Sequence, residues 1–411
     1  MTATVPLRHL AEVNPPTREF DRLGRDESVT FMPLETVWAD QRVDFSRRVP
    51  KSEVVSGYTR FRDRDVLVPK VAPTFQAGRV AVATIGTPAG AGTTELHVVR
   101  SRPDISDPRF LAYVCRSAPF LAEGVSTFRG VAGLQRVPDE FVKSFPVAGM
   151  NLDEQRRIAD FLDTETARID ALITKRSRQL ELLPDRWRVG LDRVFDQLCS
   201  EFGERSLGRA LVRMEQGTSP QCDNRPAEEH EWGVLKAGAV KGDRFLPKEN
   251  KHLPDWIAPE VRYEVRPGDL LITRANTPAL VGAAAVVPAG TRSRLILCDK
   301  IFRVRLDNSL RHEFVALLSQ ASRIRDACAV SATGASSSMV NLSARDVKQW
   351  PIPMAPVPAQ TMRIRKLEAA RSQQEALGLA ILRQASLLSE RRQALITAAV
   401  TGELDVTTAR G

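Results

Sequence analysis

Cysteine is scarce in this sequence, and the few cysteines stand too far apart to form a common site. The five are Cys115, Cys199, Cys222, Cys298 and Cys328, and no two of them form a C-x-x-C pair. This spacing argues against both a disulfide framework and a thiolate zinc site. We therefore expect buried free thiols.

Long apolar runs are also missing. The longest weakly polar run, Thr277 to Pro288, is shorter than the roughly 20 apolar residues that cross a bilayer. The first residues of the sequence contain no apolar core of a signal peptide. Together these features predict a cytoplasmic protein.

Motifs of catalysis are sparse as well. The loop that begins at Gly86 contains glycines but no lysine where a P-loop needs one to reach the phosphates. The five histidines include no i, i+4 pair that would favour a metal site. The residues Asp243, Glu249 and Lys251 resemble the acidic-plus-lysine set of metal-dependent nucleases, but no strand pattern holds them, and a solvated charge run is expected instead.

A second weak motif lies near the start of the chain. Asn14, Pro15 and Pro16 resemble the beginning of the Asn-Pro-Pro-aromatic loop of amino-methyltransferases, which binds a flipped base. Thr17 occupies the position of the aromatic residue, and no glycine-rich loop for S-adenosylmethionine follows a strand elsewhere. We therefore expect a turn at this position.

The size and charge of the chain point to two domains and a polyanionic partner. Domains usually hold about 100 to 200 residues, so 411 residues predict more than one. Lysine and arginine number 59 against 50 acidic residues, which gives a formal net charge of +9. An excess of positive charge favours nucleic acid as a partner, although basic proteins are common.

The sequence repeats itself across its two halves. The segment from Phe61 aligns with the segment from Val265 at a displacement of 204 residues (269 − 65). The matched pairs are Asp65 with Asp269, Lys70 with Arg274, and Gly78 with Gly282. Farther along, the displacement is 205 residues (360 − 155), which pairs Gln155 with Gln360. Two similar halves predict an internal pseudo-two-fold.

Each half ends in a stretch that predicts a long helix. Between Asp153 and Cys199, and again between Gln360 and Val400, glycine is rare and Leu, Ala, Arg, Gln and Glu are frequent. Pro184 should kink the first helix. Apolar residues at seven-residue intervals predict a coiled-coil seam between the two helices, and the alternative is that each helix packs on its own domain. The predicted seam comprises Leu162, Ile169, Ile173, Leu180, Leu183, Trp187, Leu367, Ile381, Leu388 and Leu395.

The residues before each predicted helix have a different composition. Short runs rich in valine and isoleucine alternate with glycine, proline and asparagine, which is typical of strand-rich domains. The predicted fold class is α+β, with two similar strand-rich domains separated by two long antiparallel helices. The predicted limits are 1–150 and 201–356 for the strand-rich domains, and 151–200 and 357–411 for the helices with the C-terminal tail.

Two repeated features of the strand-rich domains suit DNA. Lys70 and Arg274 follow equivalent strands, where a cation can reach a phosphate or a guanine edge, although an ion pair is an equal alternative for either residue alone. A loop rich in small and polar residues follows later in each half, at 126–137 and 331–342. The predicted DNA-binding residues are Lys70, Arg79, Arg129, Gln135, Arg136, Arg274, Asn276, Ser336, Ser337 and Asn341, with Ser338 in the same loop. Their different side chains predict that the two halves read different sequences.

The longer motifs resemble a known family. The segments "DEQRRIADFLDTETARIDALITKR" (Asp153 to Arg176) and "RRQALITAAVTGELDV" (Arg391 to Val406) are similar to segments of the specificity (S) subunit of type I restriction-modification systems. "GDLLITR" from Gly268 and the later "TGASSSMVNL" also resemble parts of that family's target-recognition domains. The resemblance covers nearly the whole chain.

This resemblance implies a non-catalytic DNA-recognition subunit that serves defence against foreign DNA. Each recognition domain would read one half of a split sequence in double-stranded DNA, and the helices would set the spacing. Two methyltransferase (M) subunits and restriction/translocase (R) subunits would be the partners. This chain would hold no cofactor, whereas S-adenosylmethionine would bind the methyltransferase subunits, and ATP and Mg the restriction subunits.

Three alternatives remain open from the sequence. The chain could serve a methylation-only or type II-like system, which the absence of an adjacent restriction gene would indicate. It could be a stand-alone DNA methyltransferase that uses the Asn14 motif, and methyl transfer by the purified chain would support that alternative. It could also be a coiled-coil adaptor without DNA binding, which would show no salt-dependent binding to duplex DNA.

Overall fold

The computed structural model describes residues 3–33, 36, 43–130, 135–336 and 339–406. The chain forms two compact units. Unit 1 comprises Met1–Arg178 with Ile381–Gly411, and unit 2 comprises Gln179–Ala380. Each unit therefore contains one strand-rich part and a portion of both long helices, α7 (Leu152–Phe202) and α11 (Val357–Thr401). The predicted limits that separate helices from strand-rich domains stay predictions.

Unit 1 contains ten strands and six short helices before α7 in its described part. The strands are β1 (Thr4–Pro6), β2 (Ala11–Val13), β3 (Ser28–Met32), β4 (Arg48–Pro50), β5 (Thr59–Phe61), β6 (Val66–Pro69), β7 (Ala81–Val82), β8 (Gly90–Gly92), β9 (Leu96–Ser101) and β10 (Pro146–Ala148). The helices are α1 (Leu7–Leu10), α2 (Arg18–Arg22), α3 (Ala72–Gln76), α4 (Pro108–Arg116), α5 (Ala118–Ser126) and α6 (Asp139–Ser144), with a 3₁₀ turn at Lys51–Glu53.

Unit 2 continues with fourteen strands and three short helices in its described part. The strands are β11 (Glu204–Ser206), β12 (Leu211–Gln216), β13 (Gly233–Leu235), β14 (Val240–Lys241), β15 (Arg244–Phe245), β16 (Asn250–His252), β17 (Leu270–Thr273), β18 (Ala275–Asn276), β19 (Ala284–Val286), β20 (Leu295–Ile296), β21 (Ile301–Leu306), β22 (Thr333–Ser336), β23 (Met339–Asn341) and β24 (Pro351–Pro353). The helices are α8 (His312–Leu318), α9 (Ser322–Ser331) and α10 (Ala344–Lys348), with 3₁₀ turns at Leu207–Arg209, Ala237–Ala239 and Val261–Tyr263.

The two units share one topology. Each has a four-stranded antiparallel sheet, with the order β2-β9-β6-β7 in unit 1 and β12-β21-β17-β19 in unit 2. Each has a second sheet around a parallel pair, which is β3 with β8 in unit 1 and β13 with β20 in unit 2. The predicted internal repeat and the α+β fold class are confirmed.

Strands β6 and β17 are almost entirely apolar because both of their faces are covered. In β6, Val66 and Val68 belong to one buried cluster and Leu67 to another. In β17, Leu270 and Ile272 likewise face one cluster, and Leu271 faces the other. Side chains alternate between the two faces of a strand, so a strand buried on both faces is apolar at nearly every position. The exception is the buried Thr273 at the end of β17, whose hydroxyl donates to the carbonyl of Leu280 at 2.7 Å. This explains the uninterrupted apolar runs of these segments.

The repeated aspartates anchor the turn that leads into each central strand. Asp65 Oδ2 accepts a hydrogen bond from the backbone N–H of Arg62 at 2.8 Å, and Asp269 Oδ2 accepts one from Arg266 at 2.9 Å. The residue before Asp269 is Gly268, with a φ of +88°. In unit 1 this position is Arg64, with a φ of +65°, so a side chain occupies the left-handed conformation that glycine adopts most easily.

The repeated glutamines fasten the start of each long helix. Gln155 is fully buried, and its Oε1 accepts the backbone N–H of Asp107 at 3.0 Å. Its Nε2 donates to the carbonyl oxygens of Ile105 and Met150 at 3.1 and 2.9 Å. Since buried backbone groups need partners, this one side chain satisfies three of them.

Gln360 makes the same three bonds in unit 2. Its Oε1 accepts the N–H of Arg311 at 2.9 Å, and its Nε2 donates to the carbonyls of Ser309 and Ala355, both at 2.8 Å. The three partners correspond to those of Gln155 at the repeat displacement. The second helix thus keeps the glutamine contact although the residues around it differ from those of the first.

We expect Gln155→Leu to lower the free energy of unfolding by about 1 to 3 kcal/mol, because it leaves buried backbone groups unsatisfied. Gln360→Leu should have a similar effect for the same reason. Gln384→Leu is the control, since Gln384 is an exposed glutamine of α11. Chemical denaturation of the three variants measures the difference. Equal stabilities for all three would contradict this role of the glutamines.

Within each unit the two long helices run antiparallel. In unit 1, Leu162 and Ile169 of α7 and Ile381 of α11 are buried, and Asp170 pairs with Arg392 at 2.6 Å. The remaining seam residues of this unit, Ile173, Leu388 and Leu395, are half-buried. The helix pair is consistent with the predicted coiled coil.

In unit 2 the seam is more open. Leu367 is buried, whereas Leu180, Leu183 and Trp187 are half-buried. The guanidinium of Arg371 lies 4.5 Å from the centroid of the Trp187 ring. Helix α7 continues from Leu152 to Phe202 through Pro184 without ending there. Which of these residues determine helix pairing stays a prediction.

Two compositional expectations can be compared with the structure directly. All five cysteines are free thiols, but only Cys115, Cys298 and Cys328 are buried as predicted, whereas Cys199 and Cys222 are half-buried. Within the described ranges, no helix is both long enough and apolar enough to span a membrane.

Candidate nucleic-acid interface

The chain after β6 and a later loop come together in unit 1. The N–H of Lys70 donates to the carbonyl of Glu95 at 2.8 Å, and the carbonyl of Lys70 accepts the N–H of Val137 at 3.0 Å. Arg129 and Arg136 exchange two backbone hydrogen bonds, at 3.0 and 2.9 Å. The carbonyl of Gln135 accepts the N–H of Ala72 at 3.0 Å, so backbone hydrogen bonds bring four of the predicted DNA-binding residues together. We call the set Lys70, Glu95, Arg129, Gln135 and Arg136 the first frame.

Unit 2 repeats this arrangement. The N–H of Arg274 donates to the carbonyl of Lys300 at 2.8 Å, and the carbonyl of Arg274 accepts the N–H of Leu342 at 2.8 Å. Strand β23 carries Asn341, which pairs with Ala275 of β18 on one side and with β22 on the other. We call the set Arg274, Asn276, Lys300 and Asn341 the second frame.

The side chains of the first frame are presented outward. Arg129, Gln135 and Arg136 are exposed, and Lys70 is half-buried. The Arg136 guanidinium donates to both oxygens of the Glu95 carboxylate, each at 2.7 Å. These hydrogen bonds lower the pKa of the Glu95 carboxyl, so it stays ionised and holds the guanidinium in a fixed plane.

The side chains of the second frame are more recessed. Arg274, Asn276 and Asn341 are half-buried. The Nη1 atom of Arg274 lies 3.4 Å from the carbonyl oxygen of Asp299, and Nδ2 of Asn276 lies 3.4 Å from that of Ala237. Both contacts are long for hydrogen bonds, so these donors can be redirected to a ligand at little cost.

The other predicted DNA-binding residues lie outside the two frames or outside the described residues. Arg79 is half-buried after α3 and takes no part in the backbone bonds of the first frame. The backbone of Ser336 pairs with Met339 in the hairpin of β22 and β23. Ser337 and Ser338 lie outside the described residues. The DNA-binding roles of all these residues stay predictions.

Sequence reasoning missed Glu95 and Lys300, which occupy the same position in the two frames. A signal was available, because the displacement that relates Gln155 to Gln360 also relates these two residues. The signal was weak because glutamate and lysine do not score as a match. Their equivalence lies in the backbone hydrogen bonds and not in the side chains.

A buried histidine supports the first frame from behind. His97 of β9 is fully buried, with Nε2 3.0 Å from the carbonyl oxygen of Val137. Burial, with the nearby charge of Lys70, lowers the pKa of His97 to about 4, so the ring is neutral at neutral pH. A carbonyl can only accept, so Nε2 carries the proton and donates to the loop. Unit 2 has Phe302 at this position.

The Asn-Pro-Pro segment is engaged within the fold. Asn14 adopts a left-handed φ of +53°, and its Oδ1 accepts the N–H of Val98 at 2.8 Å. Its Nδ2 donates to Asp139 at 2.7 Å. The carbonyl of Pro16 accepts from Arg100 at 3.0 Å. These contacts fit the expected turn, since the amide that would bind a substrate amino group is already used.

The nuclease-like residues do not assemble into a metal site. Asp243 forms an ion pair with Arg371 of α11, and Glu249 lies 3.9 Å from Lys236. Lys251 pairs in the ladder with Val234. Among the described residues, no group of three or more His, Cys, Asp or Glu side chains could hold a metal ion.

Comparison with curated proteins finds relatives of one kind. The chain is similar to the type I restriction enzyme EcoEI specificity subunit of Escherichia coli, with 24% identity over 89% of this chain and 76% of that protein. It is also similar to the type I restriction enzyme EcoAI specificity subunit of Escherichia coli, with 34% identity over 37% of this chain and 26% of that protein. No protein-family model matches the sequence.

Comparison with solved structures finds the same architecture. One similar chain comes from a structure of complex assembly and conformational transition of the type I R-M system. It has a TM-score of 0.74 and 19% identity, over 98% of both chains. The crystal structure of the HsdS subunit from Thermoanaerobacter tengcongensis has a TM-score of 0.61 and 17% identity, over 98% of this chain and 97% of that one. These likenesses establish the fold.

Proposed function

We propose that this chain, a homologue of the type I restriction-modification specificity subunits, reads a bipartite DNA sequence and assembles the methyltransferase and restriction subunits on it. The relatives confirm the resemblance drawn from the helix and C-terminal motifs. The chain is accordingly a DNA sequence-specificity subunit that recognises DNA and catalyses no reaction itself. The proposal adds two properties that the names of the relatives do not state, namely the reading of a bipartite DNA sequence and the assembly of the other subunits.

The observation that carries bipartite reading is the pair of frames. Both frames rest on the same backbone hydrogen bonds, from Lys70 to Glu95 and Val137 in one and from Arg274 to Lys300 and Leu342 in the other. The side chains on them differ. Arginine suits guanine, and glutamine or asparagine suits adenine, so the two frames would read two different half-sequences.

The long helices would set the distance between the half-sequences. Helix α7 contains 51 residues and α11 contains 45. At 1.5 Å per residue a helix of 51 residues rises about 77 Å, more than the roughly 34 Å of one turn of B-DNA. Two such helices are therefore long enough to carry two recognition domains that contact DNA at least one turn of B-DNA apart.

Assembly would use the outward faces of the helices. Large apolar side chains are exposed there, including Leu182 and Val189 on α7 and Leu379 and Leu382 on α11, with exposed fractions of 46, 49, 70 and 54%. Exposed apolar side chains in a series are typical of protein-binding surfaces. We propose that the methyltransferase subunits bind here and hold S-adenosylmethionine, while the restriction subunits hold ATP and Mg.

Copurification tests the proposed assembly surface. Leu379→Ser and Leu382→Ser should each reduce the amount of methyltransferase subunit that copurifies with this chain, without lowering its melting temperature. Gln384→Ala is the matched control, because Gln384 is exposed on the same helix. Unchanged copurification of both leucine variants would place methyltransferase binding elsewhere.

The central experiment is methylome mapping. This chain would be expressed with its neighbouring methyltransferase gene in a host without DNA methylation, and the modified bases would be mapped across the genome. A split motif with a fixed gap, dependent on this chain, is the expected result. A continuous motif would contradict bipartite reading, and methylation that does not need this chain would contradict its role in specificity.

Lys70 and Arg274 should each contribute to DNA affinity. We expect Arg274→Ala and Lys70→Ala to weaken binding of the assembled complex by about 1 to 3 kcal/mol, or roughly 5- to 150-fold, because a direct cation contact with DNA is lost. Arg193→Ala is the control, since Arg193 is exposed on α7. Binding measured across a salt series distinguishes the variants. Wild-type affinity at every salt concentration would favour the ion-pair alternative for these residues.

A further inference from the structure

A polar cavity of about 260 Å³ lies beside the second frame in unit 2. Three lysines line it: Lys236, Lys251 and Lys300. Strand β13 forms one wall, with Lys236 directly after its last residue. Strand β16 brings Lys251 to the cavity by pairing it with Val234 of β13, and the segment before β21 brings Lys300.

The cavity has an excess of positive charge. Asp299 is the single carboxylate among its lining residues, and it already accepts a hydrogen bond from the hydroxyl of Ser219. Within the described part of the chain, the contact of Lys236 with Glu249 at 3.9 Å is the only ion pair of the three lysines. Because few carboxylates neutralise the three ammonium groups, the cavity favours an anionic ligand.

The cavity and the second frame share a wall. Lys300 lines the cavity, and its carbonyl accepts the N–H of Arg274. The neighbouring carbonyl of Asp299 lies 3.4 Å from Nη1 of Arg274. The carbonyl of Ala237, another lining residue, lies 3.4 Å from the side-chain amide of Asn276. An anion in the cavity would therefore lie next to the side chains expected to contact bases.

Unit 1 has no cation at any of the three equivalent positions. The repeat displacement relates Lys236 to Phe31 and Lys300 to Glu95. The equivalent of Lys251 is Val49, because Val49 pairs with Val29 as Lys251 pairs with Val234. These three lysines are thus a feature of unit 2 and not of the repeat, although in unit 1 the guanidinium of Arg47 lies 4.8 Å from the centroid of the Phe31 ring.

We infer that this cavity binds one phosphate group of the DNA backbone next to the half-sequence read by the second frame. Lysine binds phosphate as a point charge with three donors, which requires no particular base. The phosphate contact would fix the register of the second frame on the duplex, while Arg274 and Asn276 approach the base edges. This inference rests on the proposed function.

The test measures DNA binding by the assembled complex with its methyltransferase subunits over a salt series. The probes are a duplex with the mapped motif and a duplex in which the second half-sequence is changed. In the triple variant Lys236→Ala, Lys251→Ala, Lys300→Ala, the slope of log K against log salt should become shallower by about 0.9, the value of one phosphate contact. Affinity should fall by the same factor for both duplexes.

Two controls accompany the triple variant. Lys248→Ala removes an exposed lysine outside the cavity and should leave the slope unchanged. Melting temperatures check that each variant is folded. Lys300→Arg should keep most of the affinity, whereas Lys300→Glu, which introduces the residue type of unit 1, should lose more than Lys300→Ala.

The outcomes separate this inference from the proposed function. A wild-type slope in the triple variant would overturn the phosphate site while leaving sequence-specific binding by the wild type intact. Failure of the wild type to prefer its motif would instead overturn the proposed function. If inorganic phosphate raises the melting temperature of the wild type but not of the triple variant, and the DNA slopes are equal, the cavity binds a free anion and the DNA assignment is wrong.

Discussion

Asp65→Asn is expected to lower the free energy of unfolding by about 3 to 5 kcal/mol, because it leaves a buried guanidinium without the carboxylate that contacts it. Asp65 is 1% exposed and Arg100 is 9% exposed. Both carboxylate oxygens take part, with Oδ1 2.8 Å from Nε and Oδ2 2.8 Å from Nη2 of Arg100. Asparagine keeps the size of the side chain but supplies one acceptor and no charge.

The internal repeat provides a matched comparison. Asp269→Asn removes the equivalent carboxylate, whose partner Arg303 does not occupy the position of Arg100 in the repeat. Arg303 also contacts Glu215, with Nε 3.0 Å from Oε2, and lies 3.4 Å from Asp269. The guanidinium of Arg303 therefore keeps a counter-charge after the change. We expect Asp269→Asn to cost clearly less than Asp65→Asn.

Denaturant unfolding of the two variants beside the wild type measures this difference. A second readout is DNA binding, since Asp65 holds the turn into β6, the strand that Lys70 directly follows. Equal losses of stability in the two variants would show that the ion pair of Asp65 and Arg100 contributes no more to the free energy of unfolding than that of Asp269 and Arg303. A loss below about 1 kcal/mol for Asp65→Asn would show that this buried pair stabilises the protein no more than an exposed salt bridge does.

The sequence predicted the architecture well because the repeat preserves residues that bind the backbone. Asp65 and Asp269 each hold a turn, and Gln155 and Gln360 each hold the start of a helix. A side chain that satisfies several backbone groups has few substitutes, so its identity persists in both halves and the alignment detects it. The internal repeat could be derived from such pairs, whereas the helices and the strand-rich domains were predicted from residue composition.

The candidate interface was predictable only in part. Lys70 and Arg274 could be found because each directly follows a strand that the sequence identifies. The contact between Glu95 and Arg136 joins residues 41 positions apart, and no local pattern indicates it. The lysines of the cavity are likewise distant in sequence, since sheet pairing and the segment before β21 bring them together.

The heptad pattern predicted which helix residues are apolar but not what covers them. Leu162 and Trp187 belong to the same predicted seam. In the structure Leu162 is fully buried in the large core of unit 1, where Phe110 and Leu111 of α4 belong to the same cluster, whereas Trp187 is half-buried. Helical periodicity reports that one face of a helix is covered, and it does not distinguish a partner helix from a globular core.

This distinction gives the second large expected effect. Leu162→Ala should lower the free energy of unfolding by about 2 to 5 kcal/mol, because it removes a fully buried side chain and leaves a cavity. Leu172→Ala is the matched control ten positions along the same helix, where the side chain is 41% exposed, and we expect little change in stability there. Denaturant unfolding measures both. If Leu162→Ala were as stable as Leu172→Ala, the Leu162 side chain would contribute little to the core of unit 1.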